Sequence, residues 1–122
     1  MKIDVSIGEV LDKISILKIK LIHITDPVKI DHCQHEYDLL LKAVSDLDDT
    51  EEFINELFRV NGRIWSIEDD IRKLESVKDF SNSFVELARG VYYNNDKRFK
   101  IKNDINIHYN SSVREQKQYD EY

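Results

Sequence analysis

One proline and three glycines are all that punctuate the 122-residue chain, and this scarcity excludes folds built from many short strands and tight turns. The single cysteine, Cys33, excludes both an internal disulfide and a cysteine-rich zinc site. Its apolar phase makes it a structural thiol rather than a reactive one. No apolar run approaches the roughly 20 residues of a membrane span. The opening "MKIDVSIGEV" lacks the basic start and small-residue cleavage site of a signal peptide. The expectation is a soluble, cytoplasmic protein with no membrane partner. A formal net charge of −6 works against nucleic acid as a partner, because that affinity comes largely from neutralising phosphates.

What is present is the material of long helices. Lys, Glu, Asp, Ile and Leu dominate, and 41% hydrophobic residues suffice for one core. Ser6 with Glu9 three residues later has capping-box spacing, and Ile7, Val10, Ile14, Leu17, Leu21 and Ile24 follow as a seam. Asp26 and Pro27 start a second helix with the seam Ile30, Cys33, Tyr37, Leu40, Val44 and Leu47. Thr50 caps a third, with the seam Phe53, Leu57, Val60, Ile64, Ile67, Ile71 and Leu74. Ser81 caps a fourth, carrying Phe84, Leu87, Ala88 and Val91. The reading is an all-α, antiparallel four-helix bundle with helices near 7–25, 27–47, 51–77 and 82–109. The bundle domain spans 1–110, and "SSVREQKQYDEY", residues 111–122, is a C-terminal tail. The alternative is a pair of long helical hairpins that completes its core only by dimerising.

Two polar stripes stand out. On the third helix Asn61, Trp65, Glu68 and Arg72 repeat by four, three and four beside the apolar seam, and Glu68 and Arg72 are spaced to pair. On the fourth, the inner face turns polar halfway along, at Asn95, Arg98, Lys102 and Tyr109. Antiparallel packing brings the stripes to one height, where Arg98 must meet an acid such as Glu68, snorkel to solvent, or await an anionic ligand. The candidate binding residues are therefore Asn61, Trp65, Glu68, Arg72, Tyr92, Asn95, Arg98 and Lys102. A register-setting polar network explains the same residues, as do residues snorkelling around an oligomer interface.

Other constellations are weaker. His32, His35 and Glu36 point away from the second seam, and the Glu-x-x-His pairs of di-iron bundles are absent, so no metal is expected. No Gly-rich phosphate loop or Gly-x-Ser-x-Gly elbow exists, and no cofactor is expected. Glu9, Lys13 and Lys20 share a stripe on the first helix, with Asp12 at its edge. A solvated face accounts for it, or a role beside the polar site.

The stretches "VSIGEVLDKISILKIKLIHITDPVK", "VNGRIWSIEDDIRKLE", "FVELARGVYYNNDKRFKIKNDIN" and "EQKQYDEY" resemble a group of short bacterial and phage proteins known only as a domain of unknown function. The resemblance covers most of the chain, with the second helix matching poorly. It marks Gly8, Glu9, Asp12, Lys13 and Lys20, then Asn61, Trp65, Glu68, Asp69, Arg72, Arg89, Tyr92, Asn95, Asp96, Arg98 and Lys102. In the tail it marks Lys117, Tyr119 and Tyr122. It implies occurrence near genes for surface-polysaccharide and glycosyl-transfer functions, and no activity.

Three functional expectations follow. The first is a noncatalytic protein with a polar pocket between helices 3 and 4 for an anionic sugar or nucleotide-sugar-like metabolite. The second is a small helical enzyme of the chorismate-mutase-like type, with Arg72 and Arg98 holding anionic groups and Glu68 orienting or exchanging a proton. The third is a structural helical adaptor. The all-round apolar first helix predicts a homodimer through Ile16 and Ile19. The tail is expected to fold back near Trp65 and Tyr92, partly closing the polar site or that of a second subunit.

Overall fold

Four helices account for the regular structure: α1 (Ile7–His23), α2 (Pro27–Ala43), α3 (Thr50–Ser76) and α4 (Asn82–His108). The structure, a computed structural model, describes residues 1–118 and 120–122. Tyr119, marked in the tail, lies outside the described residues.

Local chemistry sets the helix ends. The Ser6 hydroxyl accepts from the Glu9 amide at 3.1 Å, satisfying one free donor at the start of α1, and Asp26 accepts from Val28 and Lys29 ahead of Pro27. Thr50, expected as the cap of α3, is its first helical residue instead. Asp49 precedes it in a left-handed conformation, φ 63, with no side-chain cap bond. At the far ends of α3 and α4, Lys78 and Asn110 take the same left-handed conformation, and Asp79 and Ser111 bond back to Leu74 and Asn106. This is the reverse-turn closure usually given to glycine. α2 stops four residues short of the expected 47, but Val44 still reaches the core and Leu47 packs against it.

α1 is the hub, touching each of the other helices, and α3 packs on α4. α2 touches α1 alone among the helices and buries none of its own residues. Pairings give the directions. Gly8 meets Asn106 and Asp12 meets Arg98, so α1 and α4 run antiparallel. Phe53 meets Tyr109 and Ile67 abuts Gly90, so α3 and α4 do too. The core gathers at one end, where Leu11, Ile14, Leu57 and Ile105 are fully enclosed and Val44, Ile54 and Val60 complete the layer. Each such side chain contributes about 1.5–3 kcal/mol.

Helix lengths shape the other end. α3 and α4 have 27 residues each and α1 has 17, so the α3–α4 hairpin overshoots α1 by about 15 Å. Ile19, expected at a dimer surface, is only 3% exposed within the single chain, whereas Ile16 is half-buried and Ile22 is open.

Candidate functional site

A single carboxylate organises the polar interior. Asp12 sits on the inward side of α1 between Leu11 and Ile14 and is 1% exposed. A charge buried there needs several partners at once. Arg98 of α4 supplies two, with Nε donating to Oδ1 at 2.9 Å and Nη2 donating to Oδ2. Asn61 of α3 donates through Nδ2 to the same Oδ1 at 2.8 Å and to the Ser15 hydroxyl at 2.8 Å, and that hydroxyl donates to the Asp12 carbonyl. The Asp12 hydrogen bond is the main reason that the Arg98 pKa is raised above its usual value, working against the desolvation of the guanidinium. The acid that Arg98 meets is therefore Asp12, not Glu68.

One turn further along α4 the pattern repeats nearer the surface. Lys102, its side chain 8% exposed, bridges Glu9 at 2.7 Å and Glu115 of the tail at 2.9 Å. Burial acts to lower its pKa, but the hydrogen bonds to Glu9 and Glu115 outweigh it and raise the value. Glu9 is thus diverted from the reciprocal half of the capping box. Next along, the Gly8 amide donates to the Asn106 side chain at 2.7 Å, and a Cβ at Gly8 would lie 2.6 Å from the Lys102 carbonyl oxygen. Glycine here lets α1 and α4 come into backbone contact.

The tail returns along α4. Ser111 accepts from the Ile7 amide, Lys117 lies 5.2 Å from the Phe99 ring centre, and Tyr122 donates to Asp96 while packing against Tyr92 and Tyr93. That hydrogen bond to Asp96 leads the causes that push the Tyr122 pKa up to about 12. Clefts open along this seam. One of 550 Å³ is lined by Tyr92, Asn95, Asp96, Lys117, Asp120 and Tyr122. A second, of 240 Å³, has Glu9, Arg98, Lys102 and Glu115 in its wall and shares Asn95 and Lys117 with the first.

The expected residues therefore separate. Asn61, Arg98 and Lys102 join internal networks, and Arg98 and Lys102 also face a cleft, as does Asn95. Tyr92 meets the tail as expected. Trp65 makes no ring contact with the tail among the described residues: it stacks on His23 at 5.0 Å with the rings inclined by 18°. Among the described residues no ion pair joins Glu68 to Arg72, and Arg72 is exposed. The clefts lie between α4, the tail and Glu9, with no lining residue from α3. His32 and His35 are exposed, Glu36 pairs with Lys13 at 2.9 Å, and no metal-ligating cluster occurs among the described residues.

Sequence reasoning underrated Asp12 by placing it at the edge of a solvated stripe. Its flanking by Leu11 and Ile14 was the available signal. Ser15, Asn106 and Ser111 gave none, being short polar residues without a period of their own.

The chain belongs to a family of unknown function, DUF6165, whose model matches residues 1–122. No curated protein and no solved structure matches it.

Proposed function

We propose that this is a noncatalytic binding protein whose ligand is a sugar-like metabolite carrying an anionic group, held between α4 and the tail. The carrying observation is that the two clefts are neighbours that share Asn95 and Lys117 in their walls. At one end Tyr92 and Tyr122 offer ring faces beside Asn95, Asp96 and Asp120. Aromatic faces with nearby carboxylate and amide groups suit the apolar faces and hydroxyls of a sugar. At the other end the Lys117 ammonium stands beside Lys102 and Arg98, which are themselves paired with Glu9, Glu115 and Asp12, and is the charge offered to a phosphate or carboxylate. The Asp12 network supports this reading as a scaffold that fixes α4 in place.

The test is amide chemical-shift perturbation with UDP-glucose, glucose 1-phosphate, glucose and inorganic phosphate. Shifts at Asn95, Asp96, Lys117 and Tyr122 with an anionic sugar, weakened about tenfold by Tyr92→Ala or Lys117→Ala, are expected. Silence towards all four probes removes the reading.

A structural adaptor is the second reading, favoured by the internal pairing of Asp12, Ser15, Asn61 and Arg98. The enzyme reading loses its constellation, since Arg98 is engaged by Asp12 and Glu68 stands apart. A cytoplasmic location fits a ligand of this class. Among the described residues no helix is long and apolar enough to cross a membrane. The homodimer also stays a proposal, and with Ile19 enclosed it needs another face.

A further inference from the structure

The overshoot of the α3–α4 hairpin leaves a step on the molecule. At about 100° per residue, Glu68 and Arg72 lie in the sector of α3 occupied by Asn61 and Trp65, the sector that faces α1. α1 ends at His23, beside Trp65, and beyond that point Glu68 is only half-buried and Arg72 is exposed. Both lack a hydrogen bond or ion pair among the described residues, yet their spacing on one helix permits one. The tip above them is apolar and open, with Val77 71% and Phe80 54% exposed. The shoulder below is apolar and open as well, with Ile22 66% and Val28 65% exposed where α1 hands over to α2.

We propose that this step is a homodimer surface on which a second copy of the chain packs inverted, α3 against α3. A two-fold axis beside position 70 places Glu68 of each copy opposite Arg72 of the other, giving two reciprocal ion pairs from residues that have no side-chain partner among the described residues of the single chain. The same axis carries the tip to the shoulder. Along α3 the tip at Val77 lies about 10 Å above the axis and the shoulder, level with Trp65, about 8 Å below it. Val77 and Phe80 of one copy then cover Ile22 and Val28 of the other. An isologous contact needs this kind of self-complementarity in both charge and shape. A foreign helix would satisfy the apolar part but has no reason to carry the inverted Glu–Arg order. The surface differs from the Ile16 and Ile19 face expected on α1, and it lies on another part of the molecule from the ligand groove, so either proposal can fail alone.

Sedimentation equilibrium of the full chain tests this, with circular dichroism confirming helix content for each variant. The wild type is expected at twice the 14.5 kDa chain mass at micromolar concentration. Glu68→Arg and Arg72→Glu each set like charges opposite one another twice, and should each weaken the dimer by roughly tenfold or more. The Glu68→Arg, Arg72→Glu double variant should recover it, because the pairs re-form with reversed polarity. Phe80→Ser should weaken it independently. A monomeric wild type overturns the proposal. So does a dimer indifferent to these substitutions, or a double variant no better than the singles.

Discussion

Asp12 and Arg98, 86 positions apart, are joined by a two-pronged ion pair whose acidic half is shut off from solvent. The two halves differ in what their loss leaves behind. Arg98→Ala strands a buried carboxylate with Asn61 as its remaining side-chain donor, and is expected to cost about 3 kcal/mol, read as a lowered urea midpoint. Arg98→Lys should recover only part of that, because an ammonium cannot reproduce the planar fork.

Two helical glycines make a matched pair. Gly8→Ala drives a methyl into the Lys102 carbonyl and should destabilise by about 1–3 kcal/mol as α1 and α4 are forced apart. Gly62→Ala meets nothing within 4 Å and should stabilise by about 0.5–1 kcal/mol through helix propensity alone. Thermal melts of the two variants moving in opposite directions confirm the close approach. A neutral Gly8→Ala rejects it.

Trp65 reports on His23, not on the tail. Removing residues 111–122 should leave the tryptophan's accessibility to a quencher unchanged, whereas His23→Ala should raise it. The reverse outcome would place the tail over Trp65 after all.

Docking of the tail has a pH window. The hydrogen bond from Lys102 is the largest cause lowering the Glu115 pKa from its ordinary 4.5, so this contribution is present above 4.5 and lost as pH falls through the lowered value. Tyr122 is raised from 10.0 to about 12, so its contribution is present below 10.0 and fades as pH rises through about 12. Protease cleavage within 112–118 should accordingly be slowest between these limits. Uniform cleavage from pH 2 to 12, probed by a pH-jump pulse, would show that neither contact holds the tail.

The helices were legible because their seams are long and their breaks few. Pro27 and the "DLDDT" run mark junctions that no packing overrides, and Phe53 to Leu74 keeps one phase over three heptads. The site was legible only by halves. Arg98 and Lys102 betray themselves by interrupting an apolar face. Their partners Asp12, Glu9 and Glu115 sit on other elements at spacings that no periodicity encodes, so the acid chosen for Arg98 was the wrong one. Trp65 was read as a lid support because an aromatic beside charges needs cover. It has cover, from a histidine at the end of α1 that looks like any surface residue in the sequence.

The attachment of α2 to a single neighbour divides the molecule into unequal cooperative units. α2 contributes no enclosed residue of its own and meets α1 alone among the helices. Lifting it away removes Tyr37 and Leu40 from the rim of the core, while Leu11, Ile14, Leu57 and Ile105, all on the other three helices, can stay together. Its amides should therefore exchange with solvent through an opening much cheaper than global unfolding, while those of Leu11 to Leu17 wait for the whole chain to come apart.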